Sequence, residues 1–190
     1  MTETEDDNTI IESIKNGDTN AFSKLVNKYS AALINSLYRI TGNRETAEEI
    51  AQDAFYKIYI SLDKYKKEYK FYTYLYRIAV NAALDNFRKN KKSLWNSLIS
   101  IFDTEKYVET GISGKIQDEY LILGEQKSLI EKALAELNPR RRTAIVLAVY
   151  NNQSYREISR ILNCSEKAVE RLVSEARSHL KKKLENILGD

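Results

Sequence analysis

The chain has 190 residues, 43% of them hydrophobic and 30% charged, with a formal net charge of +3. Six glycines and one proline are too few to turn the chain through a strand-rich fold, so the composition favours helices. One cysteine, Cys164, and one histidine, His179, exclude an internal disulfide and leave no paired spacing for a structural zinc site.

The length suffices for two small helical cores or one larger one. The opening MTETEDDN is acidic and lacks the basic start and apolar core of a signal peptide. No apolar run approaches the ~20 residues of a membrane-spanning helix. The expectation is a soluble, cytoplasmic protein, not an integral membrane protein.

Residues 9–16 read as a short helix stopped by Gly17. A second runs from about Asn20 to Ile40, with Phe22, Leu25, Val26, Tyr29, Leu33, Leu37 and Ile40 three or four apart, and Gly42 ends it. The third is the most regular: Ala47, Ile50, Ala51, Ala54, Phe55, Ile58, Tyr59 and Leu62 form one stripe. Glu48, Glu49, Gln52, Asp53 and Lys57 lie opposite, as a solvated face. The segment from Asp63 to Tyr72 reads as a loop, followed by a fourth helix from about Thr73 to Lys89 with Leu75, Ile78, Ala79, Ala82 and Ala83 inward.

Residues 93–124 hold half of the glycines and read as a linker. An apolar cluster there (Leu94, Trp95, Leu98, Ile99, Ile101, Phe102) implies docking or a short helix. Beyond Glu125 a helix through Leu129, Ala133 and Leu137 ends at Asn138-Pro139, where Asn caps and Pro opens the next helix, to about Tyr150. Ser154-x-x-Glu157 is a capping box that starts a short helix to Leu162. Asn163-Cys164 turns, Ser165 caps again, and the last helix reaches about Leu188. The predicted fold is all-α, with a helical domain over 1–92, a linker over 93–124 and a second helical domain over 125–190.

Two segments point to nucleic acid. The pair 155–162 and 166 onward has the spacing of a helix-turn-helix, with Ile158, Ile161 and Leu162 facing Val169, Leu172, Val173 and Ala176. Glu166, Lys167, Glu170, Arg171, Ser174 and Arg177 are then free to face a major groove. Arg140–Arg142, Arg156 and Lys181–Lys183 are placed to neutralise phosphates. The competing reading is a helical corner with a polar outer face.

The second segment lies between Lys64 and Lys92, with nine Lys and Arg against two acids, Glu68 and Asp85. It holds Tyr65, Tyr69, Phe71, Tyr72, Tyr74 and Tyr76. Tyrosine faces beside lysines suit unpaired bases, each stack contributing ~1–3 kcal/mol. The competing reading makes these rings the core of the N-terminal lobe and the lysines its rim. His179 has no metal or catalytic partners in the sequence and reads as an ordinary surface residue.

The stretch KFYTYLYRIAVNAALDNFRK (70–89) resembles region 2 of sigma-70-family initiation factors, above all the two-domain extracytoplasmic-function (ECF) group. Phe71, Thr73, Leu75, Arg77, Ile78, Ala79, Asn81 and Arg88 match the family pattern, and Tyr74 stands where tryptophan is usual. AEEIAQDAFYKIY (47–59) resembles the helix that grips the polymerase clamp, and residues 137–180 resemble region 4. The last helix departs from the family's more basic outer face: Ala168, Glu170, Leu172, Ser174 and Glu175 stand where small polar, basic or aromatic residues are more usual.

The resemblance implies a bacterial transcription initiation factor that directs core RNA polymerase to promoter DNA and assists melting. It implies no catalysis of its own, no cofactor and no small-molecule substrate. Family members are often held by an anti-sigma factor, which is the further partner expected.

Glu48, Glu49, Gln52, Asp53 and Phe55 would meet the polymerase. Lys64, Lys67, Lys70, Phe71, Tyr72, Tyr74, Arg77, Asn81 and Arg88 would contact the −10 element. Arg156, Ser165, Glu166, Lys167, Glu170, Arg171, Ser174 and Arg177 would contact the −35 element. The alternative is a two-lobed DNA-binding regulator that does not engage polymerase in this way. An enzyme has almost no support, for want of a phosphate loop, a ligand cluster or a nucleophile–histidine pair.

Overall fold

The computed structural model describes the backbone of residues 6–65, 70–102 and 121–188 and the side chains of 6–65, 70–90 and 129–185. All regular structure among the described residues is helical.

Helix α1 (Asp7–Lys15) carries Asp7 in its first turn and Lys15 in its last, each the sign that its end of the helix dipole favours. Gly17, at φ +103°, reverses the chain. Asp18 then accepts from the backbone N–H groups of Asn20 and Ala21 at 3.1 and 3.3 Å, fixing a 3-10 turn that feeds α2 (Phe22–Thr41).

Gly42 closes α2 in the left-handed conformation (φ +76°), its N–H bonded to Tyr38 O at 2.7 Å. A Cβ added there would meet nothing within 4 Å. Gly42→Ala should therefore lose about 1 kcal/mol, all of it backbone strain. Urea denaturation checks this; a loss several times larger would mean that the turn packs against something.

Asn43 caps α3 (Arg44–Ile60) by accepting from Thr46 N at 2.8 Å. The predicted inward stripe holds for Ala47, Ile50, Ala51, Ala54, Phe55 and Ile58. Tyr59 departs from it: its ring meets Phe22 edge-on at 5.1 Å and is otherwise open to solvent.

Helix α4 (Phe71–Phe102) begins two residues before the predicted start and ends well beyond Lys89. Phe71 and Tyr72 are thus helical, not part of a loop. The first turn is fixed by packing, because the Phe71 ring lies 5.5 Å from that of Tyr29 and 6.2 Å from that of Tyr65. At its other end α4 continues through 93–102, so part of the expected linker is helix. The side chains of the apolar cluster, Lys67, Gly111 and Gly114 lie outside the described residues.

Helix α5 (Leu121–Glu136) starts earlier than Glu125. Asn138 accepts from Arg140 N at 3.0 Å and Pro139 opens α6 (Pro139–Val149), as the sequence predicts. The capping box of α7 (Tyr155–Leu162) is reciprocal: Ser154 Oγ accepts from Glu157 N, and the Glu157 carboxylate accepts from Ser154 N, both at 3.2 Å. Asn163 takes the left-handed turn at φ +48°, and Ser165 accepts from Ala168 N at 3.2 Å to start α8 (Glu166–Leu188).

The two lobes do not have separate cores. One apolar cluster runs from Ile11 and Leu25 through Leu75 and Val80 to Val146, Ile158 and Val173. Helices α2 and α4 pack directly against α6 and α7. Arg142 of α6 crosses the boundary, donating to Ile40 O at 2.9 Å and to Leu137 O at 3.4 Å, and also to Ala135 O. Its guanidinium faces the Phe87 ring of α4. Burial lowers its pKa from the usual arginine value. The cation remains tolerable there because carbonyl oxygens surround it.

Candidate nucleic-acid and polymerase interfaces

In the C-terminal lobe, Ile158, Ile161 and Leu162 of α7 pack on Val169, Val173 and Ala176 of α8, all buried. This fixes the opposite side of α8 outward. Arg156, Ser165, Glu166, Lys167, Glu170, Arg171, Ser174 and Arg177 are all exposed. Arg171 lies 3.9 Å from Glu175, too far for a strong bond, whereas Arg141 binds Glu175 at 2.7 Å. The surface is therefore mixed in sign, with Glu166 and Glu170 beside Lys167 and Arg171.

In the N-terminal lobe, Arg77, Asn81 and Arg88 lie exposed on α4, and Lys64 is exposed just before it. Arg88 reaches back to Asp85 at 2.5 Å, and Arg77 faces the Tyr74 ring. The aromatic residues divide. Phe71 is 1% exposed and belongs to the core, as do Tyr65 and Tyr76. The expected role of Phe71 as a stacking platform does not fit that placement. Its ring is held by other rings and would have to leave the core to meet a base.

Tyr74 and Tyr72 are half-buried. Tyr72 stacks on Tyr76 with centroids 4.0 Å apart. Burial, and then the neighbouring Tyr76, push its hydroxyl far above the usual tyrosine pKa. That hydroxyl is enclosed with no partner at hydrogen-bonding geometry.

On α3, Glu49, Gln52 and Asp53 are exposed, and Glu48 is half-buried and paired with Arg44 at 2.6 Å. Phe55 points inward against Phe22, so it shapes this face from beneath rather than offering its ring. Sequence reasoning missed Tyr56 and Ile60, 65% and 63% exposed, which continue the outward row one and two turns on. The available signal was their position off the inward stripe: two apolar residues with no core to enter.

Two further groups escaped the sequence. Asn151, in the turn after α6, inserts between α2 and α4. Its Nδ2 donates to Ser36 Oγ at 2.9 Å and to Tyr76 OH at 3.0 Å. Lys70 Nζ, at the start of α4, pairs with Glu157 of α7 at 2.8 Å. That bond, aided by those from Ser154, holds the Glu157 carboxyl below the usual glutamate pKa.

Comparison with known proteins decides the family. Residues 25–93 match the Sigma-70 region 2 family and residues 127–180 the Sigma-70 region 4 family. The ECF RNA polymerase sigma factor SigW of Bacillus subtilis (strain 168) is 32% identical over 180 residues, covering 93% of this chain and 96% of its own. The chain belongs to the ECF group of sigma-70-family factors.

Solved structures agree on the fold of this sigma factor. CnrH, solved with the cytosolic domain of CnrY, superposes with a TM-score of 0.69 at 20% identity, over 95% of this chain and 97% of that one. The sigma factor RpoE, co-crystallised with the anti-sigma factor NepR from Bartonella quintana, gives 0.66 at 22% identity, over 86% and 96%. The family serves RNA polymerase in promoter recognition, as initiation factors rather than enzymes. The region 2 match contains the outward face of α3 and most of α4, and the region 4 match contains α6, α7 and the first part of α8. Among the described residues, no helix is long and apolar enough to cross a membrane and no His, Cys, Asp and Glu cluster could hold a metal ion.

Proposed function

We propose that this sigma factor binds core RNA polymerase through α3, reads the −10 element with the N-terminal lobe and the −35 element with α8, and assists promoter melting. It acts in the bacterial cytoplasm. The working division is 1–92 for polymerase and −10 contacts, 93–124 for the connection and 125–190 for −35 contacts.

On α3, Glu49, Gln52 and Asp53 offer carboxylates and an amide to a basic partner, with Glu48 beside them and Phe55 supporting from below. Around α4, Lys64, Lys67, Lys70, Arg77 and Arg88 supply phosphate contacts. Asn81, with a donor and an acceptor, reads a base edge. Tyr72 and Tyr74 are the rings available to unpaired bases. Phe71 is retained in this group only as the residue that positions Tyr72.

The observation that carries the reading is the exposure of all eight −35 candidates, six of them on α8, whose other side is sealed by Val169, Val173 and Ala176. Glu166 and Glu170 can accept from cytosine N4, while Lys167, Arg171 and Arg177 supply phosphate or guanine contacts. An anti-sigma factor is proposed as a further partner, by analogy with the fold neighbour RpoE, co-crystallised with NepR.

Reconstitution tests the whole reading. The purified chain should co-elute with core RNA polymerase in stoichiometric amount and support run-off transcription from a subset of genomic fragments. Failure to bind core would end it. Arg171→Ala should cost about 1–3 kcal/mol in −35 discrimination. Competition binding by holoenzyme to paired promoters checks this, and an unchanged preference would remove Arg171 from sequence reading.

A further inference from the structure

We infer that Glu175 is a specificity-determining residue of α8: held by Arg141 of α6, it orients Arg171 to read a guanine, while lowering general affinity for DNA. The inference deepens the proposed −35 role of α8 and rests on it.

Arg171 is well placed to meet a base. At about 100° per residue it lies about 160° round α8 from both Val169 and Val173, which are fully buried. Its own side chain is 75% exposed. Glu175 stands one turn further on, and its two carboxylate oxygens face different partners. Oε2 accepts from Arg141 Nε at 2.7 Å. Oε1 lies 3.9 Å from Arg171 Nε.

An isolated, exposed pair four residues apart on a helix would contribute little and would hold neither side chain. Here the carboxylate is fixed from a second helix, so its other oxygen is a set point beside Arg171. The 3.9 Å gap closes by movement of the Arg171 side chain alone, because Arg141 keeps Glu175 in place. An anchor at Nε leaves the two terminal nitrogens of Arg171 for the groove, the pair that matches guanine O6 and N7. A long arginine loses rotamer freedom when it contacts a base, and a fixed carboxylate beside it reduces that loss.

A phosphate contact for Arg171 fits this arrangement less well. A phosphate accepts from many directions, so orientation gains nothing, and an acid beside the contact repels it. The charge balance agrees. The outer face of α8 sets Glu166, Glu170 and Glu175 against Lys167, Arg171 and Arg177, so it attracts the duplex little by charge alone. Such a face depends on directed contacts, and the Arg141–Glu175–Arg171 row supplies one.

The test is a selection with holoenzyme, made from the full chain and core polymerase. The probe is a promoter fragment recovered by run-off transcription, randomised across its −35 segment and sequenced after binding. The parent should prefer guanine at one position, and Arg171→Ala should reduce that preference about fivefold to a hundredfold. Glu175→Gln and Arg141→Gln should each reduce it about threefold to tenfold at the same position only, and neither should reduce it further once Arg171 is alanine. Their effects on binding to unrelated duplex should be opposite in sign. Glu175→Gln removes a negative charge and should tighten it severalfold, whereas Arg141→Gln removes a positive charge and should weaken it. A merely structural role would not join a shared loss of specificity to opposite changes in general affinity.

A guanine preference that survives Arg171→Ala overturns the inference. So does a Glu175→Gln variant that keeps the parent preference or lowers it equally at every position. If the chain fails to bind core, the proposed function falls, and the same selection with the full chain alone still decides whether Glu175 directs Arg171.

Discussion

Replacing Phe71 with alanine should cost about 3–5 kcal/mol of folding stability, the range for removing a buried aromatic ring. That is a large part of the ~5–15 kcal/mol that typically holds a native protein together. The ring is 1% exposed and touches Tyr29 and Tyr65, so its loss opens a cavity between α2, Tyr65 and the first turn of α4. Urea denaturation followed by circular dichroism measures it. The outcome matters for any promoter-melting experiment: a Phe71→Ala defect would report unfolding, not lost base stacking. Tyr72, half-buried at the edge of the same helix, is the position at which stacking can be tested separately. If Phe71→Ala proves as stable as the parent and loses only promoter opening, the ring belongs on the DNA side after all.

Reversing two charges on α3, Glu49→Lys with Asp53→Lys, should leave folding nearly unchanged and abolish most polymerase binding. Both residues are exposed, and among the described residues neither holds an ion pair. Surface changes of that kind are usually within ~0.5 kcal/mol for stability. Against a basic partner, placing like charges together costs several kcal/mol, so affinity for core should fall by roughly a hundredfold or more. Size-exclusion or interferometric titration against core polymerase gives the result. A factor that kept its affinity would engage polymerase elsewhere, and Tyr56 and Ile60, the apolar continuation of the same row, would be the next residues to replace.

Much of the helical order was legible because it is locally determined. Gly42, Asn138-Pro139 and the Ser154–Glu157 box each act within four residues, and each is found where the spacing predicts it. The stripe on α3 was legible for the same reason, up to Tyr59, whose aromatic ring is served by an edge contact with Phe22 without deep burial. Phe71 was harder. In a run of alternating aromatics and lysines, composition cannot say which rings face in, and only the partners Tyr29 and Tyr65 decide it.

A helix in 93–102 was one of two readings: Ser93, Asn96, Ser97 and Ser100 recur at helical spacing, but the glycines at 111, 114 and 124 marked the wider stretch as a linker. The lobe contacts were invisible altogether. Nothing near Asn151 in the sequence signals Ser36 or Tyr76, because the bond depends on two lobes meeting. The outward face of α8 was legible as a pattern; which of its residues reads a base is a property of the complex with DNA.

The length of α4 bears on how this chain can change over generations. Because 93–102 is helical, the point at which the chain leaves the N-terminal lobe is set by rotation as well as by length. One residue inserted there would swing the departing chain by about 100° and advance it ~1.5 Å, whereas four would swing it only about 40°. Insertions and deletions that survive in this stretch should therefore come in threes and fours, a periodicity that sequence drift among close relatives would record.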